Sequence, residues 1–248
     1  MTQAFVWALI AASSLIFGGL LASWITLGKR TLGSIMAFGA GVLLSAVAYE
    51  LVFESIQLAR TTGFPALGFF VGAGVFFSCD RAIEGLGGGG RKKIGASHSS
   101  SLVVPLVLAI VLDGIPESVV IGLGILEGGS VSLAMLVAVF ISNIPEAVAG
   151  TSGMRAGGWS PARILALWLG IAVVCATASA GGYALLGDVP NGWIAFVQAF
   201  SAGAILMMLA NTMMPEAYEH AGGLAGVFTV LGFALSVWVI LLERAEAG

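Results

Sequence analysis

Long apolar segments constrain what this chain can fold into more than any other feature of its sequence. Of its 248 residues, 58% are hydrophobic and only 9% carry a charge, whereas about a quarter of the residues of a soluble domain are charged. So few charges cannot cover a water-facing surface, and several apolar runs reach the roughly 20 residues that a membrane-spanning helix needs. The composition therefore excludes an ordinary soluble domain and predicts an all-α integral membrane protein.

Hydropathy divides the chain, taken as one transmembrane domain over 1–248, into eight predicted helices. Their connections are short and contain glycine, except for a loop at 87–100 that is rich in glycine, serine and basic residues. The N-terminus has no basic region before its apolar run, so we expect a first membrane helix there rather than a removed signal. The predicted helices span 4–28, 32–59, 64–86, 101–126, 130–154, 161–187, 191–219 and 222–243.

Lysine and arginine are distributed unequally between the two ends of these helices. If the N-terminus faces outside, only Arg60 and Arg244 fall on the outer side. Because cytoplasmic loops carry an excess of basic residues, the sequence predicts both termini outside and the loop 87–100 in the cytoplasm. We interpret the basic run 91–93 as a topology signal rather than a nucleic-acid patch. The inner-side residues are Lys29, Arg30, Arg81, Arg91, Lys92, Lys93, Arg155 and Arg163.

The tripeptide Ile-Pro-Glu occurs near the middle of predicted helices 4 and 5. Its glutamates, Glu117 and Glu146, lie 29 residues apart, and each follows a proline. A carboxylate at membrane depth is costly and marks a functional-site hypothesis. The proline removes the helical hydrogen bond of a carbonyl four residues earlier, and a cation or a water-filled cavity supplies the partners that such groups need.

Further polar side chains share these helix faces. Asp113 precedes Glu117 by one turn, Ser142 precedes Glu146 by the same spacing, and Asn143 lies one position round. These five residues predict a metal-cation site between helices 4 and 5. The alternative is a pair of kinked helices whose polar groups only hydrogen-bond to each other.

Acidic residues near the two ends of the helices predict where an ion enters and leaves. Glu50 and Glu54 on helix 2 form a candidate entrance on the outer side. Thr212, Glu216 and His220 on helix 7 form a candidate exit on the inner side. Ordinary charged residues at solvated helix ends are the alternative at both places.

The remaining reactive residue types predict little chemistry. Cys79 and Cys175 are isolated in apolar segments, so we expect neither a disulfide nor a thiolate metal site, only packing. His98 stands alone in the loop and is expected to face solvent. The chain has no His-Glu-x-x-His motif and no Ser/His pair at membrane depth, so we predict that it is not an enzyme.

An internal repeat relates two helices. The segment 37–44 on helix 2 resembles 199–206 on helix 7, and the same offset of 162 residues carries Glu54 onto Glu216. Since five helices separate the two in order, they are predicted to run in opposite directions, which indicates an inverted repeat of the kind found in secondary transporters. The alternative is chance similarity between two helices rich in alanine and glycine.

With these motifs in view, the chain resembles the Zrt/Irt-like (ZIP) family of divalent metal transporters, particularly its bacterial, GufA-like members. The resemblance covers nearly the whole chain, and it implies a 3+2+3 inverted-repeat bundle in which helices 4 and 5 hold a two-metal centre. The motifs that carry it are the two Ile-Pro-Glu sequences, Met214-Pro215-Glu216, and Gly39-Ala40-Gly41-Val42 leading to Glu50 and Glu54.

The chain departs from the family's pattern at its ligand positions. Asp113 and Gly114 stand where the family usually has His and a small amide, and Ser142 and Asn143 stand where it usually has His and an acidic residue. Thr212 replaces a frequent Glu on helix 7. Oxygen ligands suit harder cations than imidazole does, so the sequence predicts a weaker preference for zinc and one bound metal rather than two.

Together these features predict a multi-pass carrier of the cell (inner) membrane that moves a divalent metal ion of the zinc, manganese or iron class into the cytoplasm. The metal is the substrate, no cofactor is expected, and the predicted partners are the metal and membrane lipid, with no nucleic acid and with a homodimer left open. The alternative is a proton-coupled or other-solute carrier on the same scaffold that has lost the usual histidine ligands.

Overall fold

The computed structural model describes residues 1–25, 27–60, 62–85, 103–128 and 131–247. These residues form helices and short connections and contain no strand. The predicted loop 87–100, with its basic run and His98, lies outside the described residues.

Eight helices make up the described part of the chain. All eight are long and apolar enough to cross a membrane, which confirms the predicted all-α fold class and indicates a multi-pass membrane protein. A helix satisfies its backbone polar groups internally, as a segment in lipid must. The helices are α1 Thr2–Trp24, α2 Lys29–Leu58, α3 Phe64–Ile83, α4 Val103–Gly128, α5 Leu133–Ala156, α6 Pro161–Leu186, α7 Asn191–Ala221 and α8 Leu224–Ala247.

The helices pack as two groups. In the first group, α2 packs along α8, α3 packs along α7, and the last turns of α7 return to α2. In the second group, α1 packs against α5 and α6, and α6 packs against α4. The groups meet where α2 contacts α5 and where α7 contacts α4. Both motif-bearing helices, α4 and α5, therefore belong to the second group and border the first.

Glycines allow the helices of the first group to approach closely. A Cβ atom at Gly41 of α2 would overlap the carbonyl oxygen of Thr229 on α8. In the same way, a Cβ at Gly203 of α7 would overlap the carbonyl oxygen of Phe69 on α3. Without a driving force between apolar helices in lipid, such close backbone packing is a main source of helix association.

A buried tryptophan organises the second group. Trp168 of α6 is fully buried, and its Nε1–H donates to Thr151 Oγ1 of α5 at 2.8 Å. Gly19 of α1 packs on the same ring, where a Cβ would lie 2.7 Å from Trp168 Cδ1. The pairing of the indole N–H matters because an unpaired buried donor costs about 1–3 kcal/mol.

Two helices contain a π-helical turn. The first, Val47–Val52, interrupts α2 and includes Glu50; the second, Leu209–Met213, interrupts α7 and includes Thr212. π-helical turns occur frequently at functional sites. Both candidate end sites predicted from the sequence therefore coincide with a local departure from α-helical geometry.

Candidate functional site

The carboxylates of α4 are buried in the interior of the helix bundle. Asp113 is 5% exposed and Glu117 is 2% exposed, on either side of Pro116, and α4 continues as a helix through that proline. Charged residues are almost never buried to this degree unless they are paired. Both side chains do have interaction partners in the structure.

Glu117 lines a small internal cavity between α1, α4, α5 and α6. The cavity measures about 10 Å³, close to the smallest volume, roughly 10–15 Å³, that accommodates one water molecule. Its apolar wall comes from α1 and from Ile110 and Val139. Its other lining residues are Gly114, Glu117, Ser118, Asn143 and Cys175. Carboxylate, hydroxyl, amide and thiol groups thus surround a space the size of a single water or ion.

Asn143 and Ser142 face different neighbours. The Asn143 side chain reaches the cavity that Glu117 lines. Ser142 is buried on the side of α5 that meets α2, where Gly39 lies against its backbone, and its hydroxyl donates to the Val139 carbonyl oxygen at 3.0 Å. Ser142 is therefore engaged within its own helix.

Two of the five predicted ligands, Glu117 and Asn143, line the small cavity. Glu146 is half-buried on α5 and has its own interaction partner. Within the described ranges, no three His, Cys, Asp or Glu side chains are placed so that they could hold one metal ion. The structure brings Glu117 and Asn143 to one cavity, and Ser142 is not among the residues that line it.

A larger cavity opens at the outer-side ends of α2, α4, α5 and α8 in the predicted orientation. It measures about 400 Å³ and is lined by both candidate entrance residues, Glu50 and Glu54, together with Glu243 and Arg244 of α8. Glu50 is 8% exposed, and its carboxylate accepts a hydrogen bond from Ser132 Oγ at 2.7 Å. Three carboxylates thus meet one guanidinium around this space.

The end of α8 contacts two of the helices that line the outer cavity. Arg244 Nη2 lies 3.5 Å from Glu54 Oε1 and donates to the Tyr49 carbonyl oxygen at 3.2 Å. Glu243 Oε1 accepts from the Leu133 backbone N–H at 2.6 Å, at the first turn of α5. These contacts join α8 to α2 and to α5, so the cavity lies at a junction of the two helix groups.

Apolar side chains separate the outer cavity from the small one. Ile121 and Met135 line the floor of the outer cavity and are 2% and 1% exposed. Glu117 lies one turn before Ile121 on α4, and Val139 lies one turn after Met135 on α5. Both line the small cavity. In this conformation the buried carboxylate is therefore closed off from the outer cavity by packed apolar groups.

The candidate exit residues lie along the final turns of α7. Glu216 is 6% exposed, and its Oε1 lies 3.8 Å from His220 Nε2. Gly33 of α2 packs against the same turn, where a Cβ would lie 2.9 Å from the Cβ of His220. Thr212 lies one turn earlier, in the π-helical turn. The structure therefore places Glu216 and His220 together against α2.

Several residues of both cavities escape prediction from the sequence. Ser118 is next to Glu117 in the sequence, and this adjacency alone would have justified including it among the predicted site residues. Cys175 lies on α6, 58 residues after Glu117, and no spacing rule connects it with α4. Ser132, Gln198 and Glu243 likewise reach the outer cavity from α5, α7 and α8.

Comparison with known proteins identifies no family: no model of a protein family matches the sequence, and no curated protein matches it.

Proposed function

We propose that this chain is a divalent metal cation transporter of the ZIP kind, located in the cell inner membrane and carrying a metal of the zinc, manganese or iron class into the cytoplasm. One observation carries the proposal: the carboxylate of Glu117 and the amide of Asn143 flank an ion-sized cavity deep between four apolar helices. Buried carboxylates in membrane helices are characteristic of ion and substrate pathways.

The outer cavity supports an entrance for cations. Glu50, Glu54 and Glu243 outnumber Arg244 as charged lining groups, and a cleft lined mainly by one sign of charge raises the local concentration of its counter-ions. Glu216 and His220 at the other end of α7 offer an oxygen and a nitrogen ligand for an ion that leaves toward the cytoplasm.

The pairing of helices supports a 3+2+3 inverted repeat. In such a repeat, α2 corresponds to α7 and α3 corresponds to α8. The contact of α2 with α8 therefore corresponds to the contact of α7 with α3, and both are present. The glycine contacts follow the same rule, since Gly41 meets a carbonyl of α8 and Gly203, 162 residues later, meets a carbonyl of α3. The π-helical turns begin at Val47 and Leu209, again 162 residues apart.

Inverted repeats allow alternating access, because the two halves can exchange conformations around a fixed site. Closure of Ile121 and Met135 above Glu117 fits a state that is sealed toward the outside. In the proposed cycle, the group of α1, α4, α5 and α6 rocks against the group of α2, α3, α7 and α8. The outer cavity then reaches Glu117 when the apolar contacts of Ile121 and Met135 separate. With the basic loops inside, both termini face outside.

Uptake by the purified protein in liposomes tests the proposal. Glu117→Gln removes a charge but keeps the side-chain size, so uptake of Zn²⁺ and Mn²⁺ should fall by roughly tenfold or more. The same fall is expected for Glu146→Gln. Glu84→Gln, at an exposed position directly after α3 and outside the proposed pathway, is the matched control and should transport like the unaltered protein.

Unchanged metal uptake in both the Glu117 and Glu146 variants would overturn the metal-transport proposal. Proton movement across the same liposomes without metal uptake would instead favour a proton-coupled carrier of another solute, which uses the same carboxylates.

A further inference from the structure

The wall of the small cavity includes a thiol that has no role in the proposed metal pathway. Cys175 of α6 is 3% exposed, and it lines the small cavity together with Glu117 and Ser118. The other cysteine, Cys79, is exposed on α3. Only one of the two cysteines therefore faces the buried polar groups.

The position of the sulfur depends on Gly114. A Cβ atom at this position would lie 2.7 Å from Cys175 Sγ, which is far inside the contact distance of roughly 3.5–4.0 Å between such atoms. The absence of a side chain at position 114 therefore makes room for the sulfur beside α4. One turn along the same helix, Ser118 faces the same cavity.

Asn143 provides an independent indication that this cavity takes a ligand. Its side chain is 8% exposed and lines the cavity. The amide has no hydrogen-bond partner within the ranges that the structure describes. Buried polar groups are normally hydrogen-bonded, and a ligand in the cavity would give this amide a partner.

We propose, on the basis of the proposed function, that Cys175 is a metal ligand of this site and that Glu117, Asn143 and Cys175 bind one divalent cation with affinity for sulfur. Cysteine binds metals as the thiolate, so the arriving ion displaces the thiol proton, which leaves to solvent. Three ligands from three helices leave a fourth position for the Ser118 hydroxyl, which lines the same cavity.

A sulfur ligand changes the substrate class. Thiolate favours zinc-like and softer cations, whereas carboxylate and carbonyl oxygen alone suit manganese, magnesium and calcium. The transporter should therefore prefer Zn²⁺ and Cd²⁺ to Mn²⁺, in contrast to the harder, all-oxygen site that the sequence predicts.

Competitive uptake of Zn²⁺ and Mn²⁺ into liposomes that contain the full-length protein tests this preference. In Cys175→Ser, the ratio of zinc to manganese uptake should fall by roughly tenfold or more while manganese uptake persists. Gly114→Ala should lower the ratio in the same direction, because it displaces the sulfur. Cys79→Ser is the matched control and should keep the ratio of the unaltered protein.

X-ray absorption at the zinc edge of the zinc-loaded protein identifies the ligand directly. A sulfur shell at about 2.3 Å is expected in the unaltered protein and in Cys79→Ser, and it should be absent in Cys175→Ser. A spectrum of the unaltered protein without sulfur would overturn the proposal even if the Cys175 variant does not fold.

The outcomes separate this proposal from the function on which it rests. If uptake depends on Glu117 but the zinc-to-manganese ratio is unchanged in Cys175→Ser, the cysteine proposal fails and metal transport stands. If the unaltered protein takes up neither Zn²⁺ nor Mn²⁺, both fail.

Discussion

Adjacent residues can have entirely different surroundings in this molecule. Ser142 and Asn143 are neighbours on α5, yet Ser142 lies against α2 and Asn143 reaches the cavity lined by Glu117 and Cys175. Successive residues of a helix point about 100° apart, so each meets a different packed helix. A residue's position in a motif therefore does not by itself decide whether it can act as a ligand.

Glycine at position 41 should be required for the packing of α2 on α8. In Gly41→Ala, the new Cβ would overlap the carbonyl oxygen of Thr229, so the helices must move apart. We expect a loss of about 1–3 kcal/mol in the free energy of unfolding, measured by unfolding the purified protein in detergent. Gly203→Ala should cost a similar amount, because its Cβ would meet the Phe69 carbonyl oxygen in the same way.

Gly74→Ala is the matched control for these two changes. Gly74 lies on α3 with no atom within 4 Å of a built Cβ, so its replacement should not lower the stability. Equal stability of the Gly41, Gly203 and Gly74 variants would contradict the proposed close packing.

At the scale of elements, the start of α5 serves two purposes. Ser132 Oγ accepts from the Met135 backbone N–H at 3.1 Å and caps the helix, while its hydroxyl donates to Glu50 of α2. The next backbone N–H, that of Leu133, donates to Glu243 of α8. The first turn of α5 is therefore held by both α2 and α8, and it borders the outer cavity.

Ser132→Ala should destabilise the protein more than a simple loss of a helix cap. Removal of an N-cap serine costs about 1 kcal/mol, and a hydrogen bond to a charged group contributes a further amount of about 1.5–3 kcal/mol. Ser160→Ala is the matched control, because Ser160 caps α6 through the Arg163 backbone N–H and no bond to a carboxylate is lost. Thermal unfolding of both variants in detergent would show equal losses if the contact with Glu50 contributes nothing.

At the scale of the whole molecule, one pattern of contacts occurs twice. The packing of α2 with α8 and of α3 with α7 uses glycine against carbonyl in both pairs. The small cavity lies in the other helix group, among α1, α4, α5 and α6. The proposed transport cycle needs the two groups to move relative to each other. Such a movement would have to break the hydrogen bonds that Glu50 of α2 and Glu243 of α8 accept from the start of α5.

The proposed orientation predicts which connections face the outside of the cell. In a Cys79→Ser background, Asp188→Cys between α6 and α7 should react with a membrane-impermeant maleimide added to intact cells. Ala162→Cys, at the opposite end of α6, should react only after the membrane is permeabilised. Both positions are exposed in the structure. The reverse labelling pattern would show that the termini face the cytoplasm.

The sequence by itself determined the elements of this protein. Its apolar runs specify eight helices, because a segment in lipid must satisfy its backbone internally, and the structure has them within a few residues of the predicted bounds. The buried state of Asp113 and Glu117 also follows from their place within an apolar run.

The tertiary structure alone decided which side chains meet. Cys175 is isolated in the sequence and predicts only packing, yet α6 brings it to the cavity that Glu117 and Asn143 line. Ser142, which the spacing predicts as a ligand, packs its backbone against Gly39 of α2 and is not among the residues that line this cavity. The reason is physical: helical periodicity fixes the face on which a residue lies, but the identity of the helix against that face depends on close packing between segments far apart in the chain.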